Sequence, residues 1–284
     1  MENGVVPVFV GGLGNQMFQL SAGYIVSQVK NCPLYVCKWT NTNNPHSKSL
    51  YTDTIFSHFG TIVSYVNDSN ELNYHIRMYG YQEHEGFSLH TGYKAWRPEN
   101  VKIPVKMLSY YQYYPPIGRF ETQLRELFLK GLFDFWSMPS IQSIEPDSSA
   151  FLHVRRGDYL TASHVFYTIG LDYYSAAIEL LKEKQPTVKT VYVVSDDPQW
   201  IKEQTLFQNP MFKIVENLNE LETMTLMAHC RGGAICANST FSWWGAFLGA
   251  FSVRSPVVYP KQWVKNNSPY ERILFPGEWS ALEA

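Results

Sequence analysis

This sequence has no marked excess of either charge. In 284 residues, 23 Lys and Arg stand against 25 Asp and Glu, a formal net charge of −2. Duplex-binding proteins gather a surplus of Lys and Arg on one face, so no nucleic-acid partner is expected. Long apolar runs are also missing. The longest stretches without a polar side chain, Gly4 to Gly14 and Trp243 to Phe251, are short and hold glycines, whereas a membrane-spanning helix needs about 20 apolar residues. Cysteine is scarce: Cys32, Cys37, Cys230 and Cys236 form no Cys-x-x-Cys. That is too few for a disulfide framework, so free thiols in or near a core are expected. The first residues carry no positive region and no small-residue cleavage site, and a soluble, cytoplasmic protein is expected. Several chemistries have no counterpart either. There is no His-Glu-x-x-His, no metal-ligand spacing of Cys and His, and no Gly-x-Ser-x-Gly. Nor is there an Asp-x-Asp to hold a metal against a nucleotide diphosphate.

What is present suits a folded α/β protein. Apolar residues make up 45% and aromatics 15%, too hydrophobic for a disordered chain and enough to fill a core. In the second half, short apolar runs at 150–154, 190–194, 212–215, 234–237 and 257–259 alternate with helical patterns at 172–184, 199–204, 220–230 and 240–250. Such alternation predicts a parallel sheet buried on both faces, a doubly wound Rossmann-like domain. The first half starts alike, with a strand at 5–10, a glycine turn, a helix at about 15–29 and a strand at 34–37. An amphipathic helix follows at 119–130. A Pro- and Ser-bearing segment at 137–149 places the boundary between an N-terminal domain, 1–145, and a C-terminal one, 146–284.

Open parallel sheets bind ligands beyond the carboxyl ends of their strands, and four of these strand ends carry polar or glycine-rich residues. The first strand delivers Gly11-Gly12-Leu13-Gly14-Asn15-Gln16. These glycines allow a tight turn into a helix whose first N–H groups could face a ligand. Met17 stands where a dinucleotide fingerprint needs its third glycine, and a helix cap explains the loop equally well. The strand at 150–154 delivers His153-Val154-Arg155-Arg156-Gly157-Asp158. Arginines closing a buried strand must be paired; one could grip a diphosphate with its guanidinium fork while another pairs with Asp158. Next come Ser195, Asp196 and Asp197. A carboxylate there could take a nucleotide base or ribose, and an Asp before Pro198 is equally a helix N-cap, so one aspartate is expected in each role. Finally Asn238, Ser239, Thr240, Phe241 and Ser242 open a helix with hydroxyls, as a phosphate cradle or as plain capping. His84, between Glu83 and Glu85, reads as an exposed loop residue. The tyrosines from Tyr110 to Tyr114 read as core or rim, with stacking on a sugar ring as the rarer use.

Taken together, Gly11–Gln19, His153–Tyr159, Ser195–Asp197 and Asn238–Ala246 resemble the α-1,2-fucosyltransferases, in the expected order along nearly the whole chain. The arginine motif is shared with α-1,6- and protein O-fucosyltransferases. The resemblance implies a GT-B-like architecture, two Rossmann-like domains facing a cleft, with the C-terminal one binding GDP-fucose. It implies inverting transfer of L-fucose from the co-substrate GDP-L-fucose to a glycan, a β-galactoside being the expected acceptor, with no metal and no other cofactor. By the same resemblance Arg155 stabilises the departing β-phosphate, while His153 and one of Asp196 or Asp197 contact guanosine. Thr240 to Ser242 form the phosphate-binding helix start, and Gly12 to Gln16 line the acceptor side. Asp158 is the nominee for general base. The rivals are another acceptor or linkage, a non-catalytic glycan- or nucleotide-sugar-binding protein, and a nicotinamide-dependent oxidoreductase, which the missing third glycine disfavours.

Overall fold

Every named strand lies parallel to its sheet neighbours, as the alternation of apolar runs and helical patterns in the second half predicts. The computed structural model describes residues 3–39, 50–65, 74, 76–85, 96–249, 255–265 and 271–284. Its chain divides into two units, 1–133 and 134–284.

In the first unit, strands β1 (Val5–Pro7), β2 (Tyr35–Trp39), β3 (Thr61–Tyr65), β4 (Gln82–His84) and β5 (Val105–Met107) form two sheets, ordered β1-β5-β4 and β2-β3. A parallel bridge between Val5 and Leu34 aligns them. Its helices include α1 (Leu13–Lys30), α2 (Leu50–Asp53), α3 (Tyr114–Arg119) and α4 (Glu121–Gly131). The expected strand at 5–10 is shorter, ending at Pro7. The chain turns at Gly11, whose φ of +79° is one that residues with a Cβ rarely adopt. Helix α1 runs almost wholly buried from Leu13 to Ser27. Phe56, Phe59 and Phe128 pack together, with centroids 4.4 Å apart for Phe59 and Phe128. The polar stretch at 40–49 lies outside the described residues.

The second unit holds one six-stranded sheet ordered β11-β10-β9-β6-β7-β8, from β6 (Ser149–Val154), β7 (Thr190–Ser195), β8 (Phe212–Ile214), β9 (Gly233–Ile235), β10 (Val257–Pro260) and β11 (Ser280–Leu282). Central strands β6, β9 and β10 are buried throughout, while the edge strands β8 and β11 are half-exposed. The helices are α5 (Pro139–Gln142), α6 (Gly157–Thr161), α7 (Leu171–Lys184), α8 (Pro198–Glu203), α9 (Glu220–His229), α10 (Thr240–Gly249) and α11 (Glu271–Leu274). Helix α7 lays Tyr173, Tyr174, Ala177, Ile178 and Leu181, spaced three and four apart, onto Leu152, Val191 and Val193 of the sheet. Asn219 and Glu222 close a capping box that fixes the start of α9. Helix α10 is apolar on all sides and buried from Ser242 to Gly249.

The division into units falls at 133/134, twelve residues before the boundary placed at 145/146. The segment between, 134–145, packs with the second unit through α5, which contacts α9. Prolines and serines gave this segment the look of a linker. Its buried Ile141 and Ile144 hold it down.

Candidate functional site

From β6 the sheet of the second unit grows one way through β7 and β8, and from β9 the other way through β10 and β11. The switch point therefore lies between the carboxyl ends of β6 and β9, where doubly wound sheets bind ligands. Three of the four polar strand ends read from the sequence meet there.

Arg155 leaves the end of β6 and lies between two carboxylates. Its Nη2 is 2.7 Å from Asp158 Oδ1 and its Nη1 is 3.0 Å from Asp196 Oδ2. Arg156 points elsewhere, with Nε 3.2 Å from Asp197 Oδ2 and its guanidinium 4.0 Å from the centre of the Trp200 ring. The Arg156 amide donates to Asp196 Oδ1 at 2.9 Å, so Asp196 binds both arginines. Gly157 makes this possible: a Cβ there would stand 2.5 Å from Asp196 Oδ2. Asp197 caps α8 by accepting from the Trp200 amide at 3.1 Å, and Ser195 Oγ accepts from the Asp197 amide at 3.0 Å. One aspartate thus serves as the N-cap and the other holds Arg155, a division of labour set by Pro198 at the first helical position.

Asp158 differs from the other carboxylates in its access to water, its side chain being 61% exposed against 24% for Asp196. Its bond to Arg155 is the one an incoming anion would break with least desolvation.

His153 is buried in β6, edge-on to Phe241, and its Nδ1 has no hydrogen-bond partner. Burial, with help from the Arg155 charge, pushes its pKa down to about 3, so the ring is neutral at physiological pH. The turn after β9 is fixed from within. Asn238 Nδ2 donates to Tyr167 O at 2.9 Å and to Trp263 O at 3.1 Å, leaving Oδ1 unpartnered. Ser242 Oγ, fully buried, donates to the carbonyls of Ser239 and Ala237. Ser239 Oγ accepts from the Phe241 amide. Thr240 and Phe241 stay half-buried at the start of α10. Asn238 and Ser242 therefore shape the turn, and the half-buried residues present it.

Tyr159 connects the two loops. Arg155 lies 5.4 Å over its ring, Phe166 stacks on the ring at 4.1 Å, and its hydroxyl donates to Asn238 O at 3.0 Å. Gly157 and Tyr159 stand within the arginine motif, but their roles, and Trp200 altogether, were not legible, because stacking under a guanidinium and room for a carboxylate are tertiary facts. Among the described residues no group of three or more His, Cys, Asp or Glu could hold a metal, and no helix is long and apolar enough to cross a membrane.

The glycine loop belongs to the first unit. Gly12 and Asn15 are half-buried, whereas Leu13, Gly14 and Gln16 are buried. Gln16 Nε2 donates back to Gly11 O at 2.8 Å, and Asn15 Oδ1 accepts from Gln112 Nε2 at 3.0 Å. His84 is no exposed loop residue: it ends β4, half-buried, with Nδ1 2.9 Å from the Tyr111 hydroxyl.

Residues 69–281 match the model of Glycosyl transferase family 11. The O-antigen biosynthesis glycosyltransferase WbnK of Escherichia coli is 29% identical, across 91% of this chain and 94% of its own. The α-1,2-colitosyltransferase of Escherichia coli is 27% identical, across 98% of this chain and 99% of its own. Two solved structures share the GT-B-like fold expected from the sequence. A variant of Arabidopsis thaliana FUT1 in complex with GDP has a TM-score of 0.53 and 10% identity, covering 91% of this chain and 70% of that one. The fucosyltransferase NodZ from Bradyrhizobium has a TM-score of 0.52 and 12% identity, covering 95% and 97%.

Proposed function

The chain belongs to glycosyl transferase family 11, and from that premise we propose that it is a galactoside α-1,2-fucosyltransferase. It takes L-fucose from GDP-fucose and places it, with inversion, on the 2-hydroxyl of a terminal galactose. The observation that carries this reading is the Arg155 fork at the switch point, held between Asp158 and Asp196. A departing nucleoside diphosphate gathers negative charge as the anomeric bond breaks. A fixed guanidinium stabilises that charge without reorganising. The 146–284 region is the donor side and the 1–145 region the acceptor side.

In the donor pocket so proposed, the diphosphate takes the Arg155 fork and lies against the start of α10 at Thr240, with the Ser239 hydroxyl as a further donor. Neutral His153 and the Asp196–Asp197 pair lie beside the nucleoside. Arg156 stays tied to Asp197 and Trp200, as a brace for the strand end. When the diphosphate replaces Asp158 on Arg155, the Asp158 carboxylate becomes free to accept the proton of the attacking hydroxyl. The hydroxyl oxygen bonds to the anomeric carbon as the bond to GDP breaks, through an oxocarbenium-like state. Much of the rate then comes from charge stabilisation and positioning. Arginine supplies the charge that a metal supplies elsewhere, so no divalent cation is required.

The test is incubation of EDTA-treated protein with GDP-fucose and a panel of acceptors, β-galactosides included, following GDP release and product mass. Release of GDP with a product one fucose heavier is expected. Transfer only after a divalent cation is restored would refute the metal-free reading, and failure of GDP to bind would refute the donor site. The full-length relative named as an α-1,2-colitosyltransferase favours one alternative, a different deoxy sugar on the same linkage. Product mass separates the two.

A further inference from the structure

The carboxyl edge of the β1-β5-β4 sheet holds a second polar cluster, built from residues outside the arginine site. His84 ends β4, Tyr111 and Gln112 follow β5, and Asn15 lies in the first turn of α1. Tyr111 has a φ of +51°, left-handed for a residue with a large side chain. Such a conformation costs about 1 kcal/mol or more and persists only where surroundings impose it. The surroundings are plain: its ring is 1% exposed, edge-on to Trp96 at 5.3 Å and stacked with His84 at 5.9 Å.

The strained backbone aims the Tyr111 hydroxyl at His84, and that fixes the tautomer of the imidazole. The hydroxyl oxygen is 2.7 Å from the His84 carbonyl oxygen and 2.9 Å from His84 Nδ1. Two oxygens this close need a hydrogen between them, and the phenol has only one to give. It therefore donates to the carbonyl, so Nδ1 must carry the ring hydrogen and donate to the phenol. Nε2 is left with the lone pair and has no donor among the described residues. Burial lowers the His84 pKa and keeps the ring in this neutral form.

Gln112 repeats the pattern. It is 4% exposed, its Nε2 donates to Asn15 Oδ1 at 3.0 Å, and its Oε1 is buried with no partner. An acceptor buried without a donor is costly, and native proteins keep few of them. Lys106, the cation on β5, is bonded to Glu83. The edge therefore offers hydrogen-bond acceptors and no unengaged cation among the described residues. The two unpartnered acceptors, His84 Nε2 and Gln112 Oε1, suit a neutral ligand that donates hydroxyl hydrogens.

We propose that this edge is a sugar subsite, in which His84 Nε2 and Gln112 Oε1 each accept a hydrogen bond from a hydroxyl of the acceptor glycan. The identity of that glycan rests on the transferase reading above; the subsite's chemistry does not. The experiment is saturation-transfer NMR on the full chain with methyl β-galactoside, methyl β-glucoside and methyl β-N-acetylglucosaminide, with GDP affinity measured separately by calorimetry. His84→Phe and Gln112→Leu are each expected to weaken sugar binding at least tenfold and to leave GDP affinity within twofold. His84→Gln, which returns an acceptor near Nε2, is expected to keep most of the binding. Unchanged sugar affinity in both variants overturns the proposal, as does weakened GDP affinity, or silence from every sugar on wild type that binds GDP. Should His84→Phe melt early, Gln112→Leu decides. Wild type that binds the sugar but not GDP would instead refute the donor site and leave this one standing.

Discussion

Gly157→Ala tests the packing that aims Arg155. The new Cβ would meet Asp196 Oδ2 at 2.5 Å and Cγ at 3.2 Å. Oδ2 is also the atom that Arg155 Nη1 holds at 3.0 Å. To restore ordinary contact at 3.4 Å the carboxylate must retreat by about 0.9 Å. It then either releases Arg155 or drags the guanidinium along. The stability cost is small. Weakening a partly exposed charge-assisted bond costs about 1 kcal/mol once solvent screening is counted. Replacing Gly by Ala at the head of a helix returns about 0.5–1 kcal/mol. A Tm within about 4 °C of wild type is therefore expected. The functional cost is larger, because displacing a catalytic group by about 1 Å can cost on the order of 10²-fold in rate. We expect kcat/KM for GDP-fucose to fall about 10- to 100-fold in a protein that melts almost normally. In an Asp196→Ala background the same glycine substitution should cost little more, since it acts through that one carboxylate. Wild-type kcat/KM in the single variant would refute the reasoning.

Arg155→Lys loses the planar fork and is expected to weaken GDP binding about 10- to 100-fold by calorimetry; unchanged affinity would place the diphosphate elsewhere. Asp158→Asn should lower kcat at least tenfold without weakening GDP affinity, because that carboxylate competes with the diphosphate for Arg155. Near-normal turnover of folded protein would remove Asp158 as the base. His153 has a pKa near 6.5 when unfolded and about 3 when folded, so below pH 6.5 the unfolded chain takes up a proton that the folded chain refuses. Its contribution is intact above pH 6.5 and is lost by about 1.4 kcal/mol per pH unit as pH falls towards 3. Urea unfolding at pH 7 and pH 5 should show about 2 kcal/mol less acid loss in His153→Gln than in wild type; equal acid sensitivity would mean that His153 titrates normally.

Much of the fold was written locally. The apolar runs at 150–154, 190–194 and 257–259 became buried parallel strands because a strand covered on both faces has no polar side to reveal. The helix starts at Asn219 and Asp197 were set by capping chemistry within three residues of the cap. The polar strand ends were legible for the same reason: in a parallel sheet every carboxyl end falls on one edge, so position in the chain gives position in the fold. The choice among their chemistries was not legible. Pro198 marks Asp197 as the cap, but nothing in Ser195-Asp196-Asp197 says which arginine each carboxylate holds; the room left at Gly157 and the Trp200 ring under Arg156 settle it. Likewise His84 between two glutamates reads as an exposed loop. Its partner is Tyr111, 27 residues away, and only the pairing of β4 with β5 brings them together. Local sequence determined which groups reach the edge of each sheet. Tertiary structure alone decided which of them are already engaged and which keep a free lone pair, because a hydrogen-bond partner is a neighbour in space.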